Sequence, residues 1–192
     1  MSSPHHKIRA SLSYKSLSAH PSVYLAGKIR KHCWRHRLVS GLRDHTWSDG
    51  VLQQEGFIYL GPFFVGCDHG CFHNKNSHGA VAIRGNNLCP GHDINSEFDG
   101  VHQEVTNLCM AAVKKADLLF CYIDSLDCFG TLVEVGFAFA HNVPVVIAFA
   151  PSAASPVDND FWFACVSARW VIYNVNACEL PEYLKHALRR YA

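Results

Sequence analysis

An unbroken apolar run, Leu118-Leu-Phe-Cys-Tyr-Ile123, ends in an acidic loop that leads into a second apolar stretch with helical spacing, Leu132 to Ala140. Six consecutive apolar side chains leave a strand no face to show to water. Such a strand is covered on both sides, as in the parallel sheets of α/β domains. The loop between the two stretches carries Asp124 and Asp127, and Glu134 stands in the helical part that follows Gly130-Thr131. Three carboxylates therefore gather where a strand ends and a helix begins, which is where open α/β sheets place their ligands.

The rest of the chain repeats the pattern. Ser22 to Ala26, Phe57 to Phe64, Val145 to Ala150 and Arg169 to Tyr173 read as further strands, the second interrupted by Gly61-Pro62. Helices are expected over Cys33 to Leu42 and over the segment in which Val101, Val105, Leu108, Cys109, Ala112 and Val113 share one face. A helix opening at Gly130-Thr131, a short one after Asp160 and a closing one from Pro181 to Tyr191 complete the set. Strands alternating with helices predict a single Rossmann-like or flavodoxin-like α/β domain over residues 22–192: a parallel five-stranded sheet with helices on both faces. Residues 1–21 read as a mobile basic and Ser-rich arm. The polar stretch 66–99 is too long for an ordinary connection and is expected to be functional.

With 192 residues, 49% hydrophobic and 17% charged, the chain is large enough for one substantial core. A net charge of +1 gives no argument for a nucleic-acid polymer or a membrane as partner. The basic residues from Lys7 to Arg43 nevertheless precede the acidic ones, and they suit either a phosphate or a solvated helix face. Nine cysteines would suggest disulfides in a secreted protein. No leader-like h-region and no membrane-length run is evident, so a reducing cytoplasm is expected. Cys109 and Cys121 read as small buried hydrophobes.

Each acid has a bland reading beside the chemical one. Thr131-Leu-Val-Glu134 has the form of a capping box, and Asp124 and Asp127 suit turns. A carboxylate at the mouth of an apolar, buried helix sits near the positive end of its dipole, and when ionised it is a competent nucleophile. Repulsion between the two aspartates is expected to raise one of them into a proton donor.

The run Asp124-x₂-Asp127-x₂-Gly130-Thr131-x₂-Glu134-x-Gly136, with Tyr24-Leu-Ala-Gly27 before it and Ala138-Phe-Ala-His-Asn-Val-Pro144 after it, resembles the nucleoside 2-deoxyribosyltransferase superfamily, nucleotide N-glycosidases included. The likeness covers about Val23 to about Phe149. It implies that Glu134 attacks C1′ of the sugar and forms a covalent glycosyl intermediate. It also implies that Asp127 orients that glutamate and contacts sugar or base, and that Tyr24 and Gly27 line the nucleotide pocket with Gly130 and Thr131. Many members place an aspartate six residues before the glutamate; here that position is Cys128, and Asp127 is one residue further away. Lys28, Arg30, Trp34 and Arg35 follow the first loop, where relatives contact a 5′-phosphate. Their alternative is a basic helix surface with Trp34 packed inward. Relatives complete their pockets from a neighbouring subunit, so a homodimer or higher homo-oligomer is expected, built on Phe137, Phe139, Phe161, Trp162 and Phe163. The chemistry requires no metal or organic cofactor.

Cys67-Asp-His-Gly-Cys-Phe-His73, followed by His78, admits two roles. It is a lid, with Asp68, His69 and His73 on the substrate and His102 joining them, or it is a zinc loop of non-standard spacing. The lid is preferred. Against the enzyme stand two rivals, a nucleotide-binding sensor without turnover and a zinc-stabilised interaction domain.

Overall fold

The computed structural model describes residues 20–29, 33–42, 45, 49–63, 98–153 and 161–192, with the side chains of residues 98–104 excepted. The elements are β1 (Ser22–Gly27), α1 (Arg35–Leu38), β2 (Leu52–Gln54), β3 (Phe57–Gly61), α2 (Phe98–Lys115), β4 (Leu118–Ile123), α3 (Phe129–Ala140), β5 (Val145–Phe149), α4 (Trp162–Ser167), β6 (Trp170–Ile172) and α5 (Leu180–Tyr191). They form an α/β fold on one six-stranded mixed sheet in the order β2-β3-β1-β4-β5-β6.

The expected five strands are present and pair in parallel, β3 with β1, β1 with β4, β4 with β5 and β5 with β6. The sheet is nevertheless not purely parallel, because β2 adds antiparallel to the free side of β3. The two are joined through Glu55 and Gly56, and Gly56 takes φ +84°, the left-handed conformation a tight hairpin demands. Leu-Gln-Gln is too short and too polar to announce a strand.

Alternation along the strands sends side chains to two cores. Val23, Leu25, Leu118, Phe120, Tyr122, Val146 and Ala148 pack with Trp34, Val39 and Leu42 and with Leu180, Leu184 and Ala187 of α5. Tyr24, Ala26, Leu119, Cys121, Ile123, Val145 and Ile147 pack with α2, α3 and α4 through Val105, Cys109, Val113, Val135, Ala138 and Ala164. Helices thus cover both faces, as expected, and Cys109 and Cys121 are core hydrophobes. Every residue of β4 is buried, and each large apolar side chain so placed stabilises the fold by about 1.5–3 kcal/mol relative to exposure.

The helices differ from expectation at their ends. α1 spans four residues rather than ten, and α2 starts at Phe98, before the first apolar residue of its stripe. No described helix is long and apolar enough to cross a membrane. Residues 1–19 of the N-terminal arm lie outside the described residues, as do residues 66–97 of the long loop.

Candidate functional site

β1 and β4 lie side by side in the sheet, but the chain leaves them toward opposite faces. After β1 it runs into the Trp34–Leu42 segment on one core; after β4 it enters α3 on the other. That divergence opens a crevice at the carboxyl ends of the two strands, the usual ligand position of an open α/β sheet. Gly27, Lys28, Asp124, Asp127, Gly130, Thr131 and Glu134 belong to this end or to the elements leaving it, while Tyr24 lies mid-strand in β1, three residues before Gly27.

Two polar contacts tie the β1 side to the β4–α3 side. Tyr24, fully buried in β1, donates its hydroxyl to Glu134 Oε1 at 2.5 Å. Lys28 Nζ lies 2.6 Å from Asp127 Oδ2, and Ser125 donates to the other carboxylate oxygen of Asp127. Gly27 sits where the strands come closest. A Cβ there would lie 2.6 Å from the Tyr122 carbonyl oxygen, and φ of +149° is itself unfavourable for an L side chain.

The electrostatics separate the acids. Burial pushes the Glu134 carboxyl up to about 7, against the opposing pull of the Tyr24 hydrogen bond and the Arg35 charge. Glu134 keeps some exposure as a residue while its carboxyl end meets a wholly buried hydroxyl. Asp127 moves the other way, held at about 2 by its hydrogen bonds from Lys28 and Ser125. The expectation that repulsion would turn one aspartate into a proton donor is therefore not met at Asp127, which is exposed and ion-paired. Asp124 directly follows β4, half-buried. The group shifted toward neutrality is the glutamate.

Glu134 is also not a helix cap. α3 begins at Phe129 with Cys128 as N-cap, no side chain makes a capping hydrogen bond, and the first turn contains no acid. Thr131 lies within the helix and is 3% exposed. The capping-box spacing is three residues out of register with the helix, which leaves the Glu134 carboxyl to Tyr24. Glu134 then falls in the second turn, too far along for the dipole at the helix mouth to matter much. Gly130 is exposed, with open space where a side chain would stand.

The basic residues divide. Trp34 is packed inward, at 4% exposure. Arg35, read as a phosphate contact or a surface residue, is neither: it is fully buried, with its guanidinium on main-chain carbonyls. Nothing in the spacing of the basic residues signals this. Arg30, Asp68, His69 and His73 lie outside the described residues. His102 is early in α2, and its side chain is likewise outside them. Among the described residues no group of three or more His, Cys, Asp or Glu side chains is arranged to hold a metal ion. A shallow groove bounded by Trp170, Glu182, Tyr183, Lys185, His186 and Arg189 lies along β6 and α5 and contains none of the predicted residues.

Compared with known proteins, the chain matches no protein-family profile and no curated protein sequence.

The Tyr24 contact makes a direct prediction. Because its hydrogen bond favours the ionised glutamate, Tyr24→Phe raises the Glu134 midpoint by about one unit. Carbon-13 titration of the glutamate carboxyls reads this, and an unmoved midpoint in the folded variant would show that the hydroxyl does not act on the acid.

Proposed function

We propose that the chain cleaves or exchanges the N-glycosidic bond of a nucleoside or nucleoside 5′-monophosphate, with Glu134 as the nucleophile. The observation that carries this reading is the Tyr24–Glu134 pair: a carboxyl raised to about 7 and held at 2.5 Å by a buried hydroxyl, at the ligand-bearing end of a doubly wound sheet. A carboxylate oriented by one hydrogen bond and poorly solvated is reactive toward an anomeric carbon. Structural salt bridges and turns have no use for such a group.

Two further features support it. The parallel strands run β3-β1-β4-β5-β6, the flavodoxin-like order, whose ligand crevice lies at the β1–β4 divergence. The residues at that crevice are those of the resemblance to the nucleoside 2-deoxyribosyltransferase superfamily.

In the reaction, a Glu134 oxygen bonds to C1′ as the C1′–N bond breaks and its electron pair departs with the base. Asp127, ionised and tied to Lys28, supplies orientation and negative charge near the sugar; Asp124 is placed to pass a proton from solvent to the departing base and to take the proton that the second acceptor gives up. Water, or the nitrogen of a second base, then attacks C1′ and frees the carboxylate. Two displacements at one carbon retain configuration. A panel of nucleosides and 5′-nucleotides assayed for free base, with and without an acceptor base, tests the reading. Free base from no member of the panel would defeat it.

Assembly belongs to the same proposal. The expectation of an apolar, wholly buried α3 does not hold in the single chain: Phe129 is 73%, Val133 62% and Phe139 59% exposed, beside Trp162 at 56% and Phe163 at 72% on α4. Phe161, expected on this face, instead packs edge-on against Phe149 in the core, with centroids 5.9 Å apart. An uncharged face of this kind is the signature of a partner surface, and a second copy is the partner we expect. Sedimentation at micromolar concentration then gives at least a dimer, and Val133→Glu weakens it by about a hundredfold through an unpaired buried charge. A monomer in the native chain would remove the proposal.

A further inference from the structure

We propose that Arg35 is the positioning residue of this site: one buried guanidinium holds the main chain on both sides of the turn from which Tyr24 and Lys28 reach across to the β4–α3 segment. The inference rests on the reading of Glu134 as the reacting group.

The geometry is specific. Arg35 Nε donates to the Leu25 carbonyl at 2.7 Å, Nη2 to that of Gly27 at 2.7 Å and Nη1 to that of Lys28 at 3.2 Å. Leu25 adjoins Tyr24, whose hydroxyl holds Glu134; Lys28 is itself the residue that holds Asp127. Nη1 also meets Cys33 Sγ at 3.5 Å, and the guanidinium carbon stands 4.7 Å from the centre of the Trp34 ring. The fork is thereby fixed along its edges and on its face. Only a planar group with several divergent donors can serve three carbonyls of one bend, a task lysine cannot perform.

A residue placed for packing alone would not take this form. Burying a guanidinium is costly, and an apolar side chain of similar volume fills such a space at less expense. The bend that it holds also has no tolerance: Gly27 already stands against Tyr122, Trp34 and Arg35. A fraction of an ångström lost there reaches Tyr24 and Lys28 directly, and small misplacements of orienting groups are costly in rate.

The charge has a second effect on the same acid. Glu134 shares its surroundings with the Tyr24 and Tyr59 hydroxyls, the Cys121 thiol and Arg35. Of these, Arg35 is the one cation, and it opposes the burial that keeps Glu134 protonated. It favours the ionised, nucleophilic form from behind the strand, without touching substrate.

The test uses the full chain labelled with nitrogen-15 arginine and carbon-13 glutamate, titrated through neutrality. In the native protein the Arg35 Nε–H resonance is expected to shift through the Glu134 and Cys33 transitions, both near 7; the Glu134 part is lost in Glu134→Gln, while the part from Cys33, 3.5 Å from Nη1, remains. Arg35→Gln moves the Glu134 midpoint upward by about one unit. Arg35→Lys keeps that midpoint but lowers kcat by about tenfold with KM little changed. An Arg35 resonance that titrates identically in the native protein and in Glu134→Gln overturns the inference, and the Gln variant keeps the side-chain shape and the Tyr24 contact. So does a folded Arg35→Gln protein with an unmoved midpoint. The titration is independent of turnover. Coupled resonances in a chain that releases no base defeat the glycosidase reading alone, and base release with uncoupled resonances defeats the Arg35 assignment alone.

Discussion

Glu134→Gln lowers base release by about a thousandfold or more, the scale of removing a nucleophile from a site that otherwise still binds and orients its substrate. Glutamine keeps the shape of the side chain and an oxygen able to accept from Tyr24, so the fold and the Tyr24 contact survive. What is lost is the carboxylate that bonds to C1′. KM is expected to change little, since substrate is held by other residues of the crevice. Glu134→Ala is a poorer experiment, because it takes the carboxylate acceptor from the fully buried Tyr24 hydroxyl and leaves it to the weaker Cys109 sulfur. It removes no helix cap, since none of the α3 cap is made by Glu134. Single-turnover mixing with a nucleoside carries the argument one step further: the native chain accumulates a glycosyl ester on Glu134 and the Gln variant does not. Near-native turnover in Glu134→Gln would assign the carboxyl a role in tuning or binding and send the search for a nucleophile elsewhere.

The elements legible in the sequence are those whose burial is extreme. Leu118–Ile123 could be read as a central strand because no solvent-facing position interrupts it, and the structure buries all six residues. The same logic misled over α3. An all-apolar helix is buried in whatever buries it, and sequence does not say whether the cover is its own chain or another; the outward Phe129, Val133 and Phe139 belong to that second possibility. β2 was invisible for the opposite reason, a strand of three residues held by its hairpin to β3 rather than by its own pattern.

In the candidate site, residue types pointed to the carboxyl end of the sheet, because acids and glycines cluster at strand exits for few purposes, and the structure brings Lys28 and Asp127 together there. Their pairing was not readable. Tyr24 and Glu134 are 110 positions apart, and only the strand register and the start of α3 bring one to the other. Thr131-x-x-Glu134 shows how narrow the margin is: the spacing is that of a capping box, and a helix beginning at Phe129 makes it something else. Arg35, read as a phosphate contact or a surface residue, lay furthest from its reading, being fully buried. A cation among other cations carries no mark of burial, and its acceptors are main-chain carbonyls, which every residue possesses.

The stability of the chain should bear the imprint of the same carboxyl. Glu134 binds its proton more tightly in the folded chain, about 7 against an ordinary 4.5. A group raised in this way contributes stability in full below its unfolded value and loses that contribution as pH rises toward the folded value. The loss between about pH 4.5 and about pH 7 is on the order of 2–3 kcal/mol, allowing for the partial exposure of the residue. Glu134→Gln abolishes the effect, so relative to the native chain it gains that amount on going from about pH 5 to about pH 8. Urea denaturation of both proteins at the two pH values measures it. His36, raised chiefly by its hydrogen bond to Cys33, and Cys33, which burial raises but Arg35 and His36 bring down to about 7, cancel in the difference because both proteins carry them. A stability difference that stays constant across the interval would mean that Glu134 titrates as an ordinary solvated acid. If the difference appears, the pH range in which the native chain loses stability is the range in which Glu134, the proposed nucleophile, becomes ionised. The energy withheld from folding is then the energy that keeps the Glu134 carboxylate poorly solvated beside Tyr24 of β1, the trade expected where a site is built against the stability of its own fold.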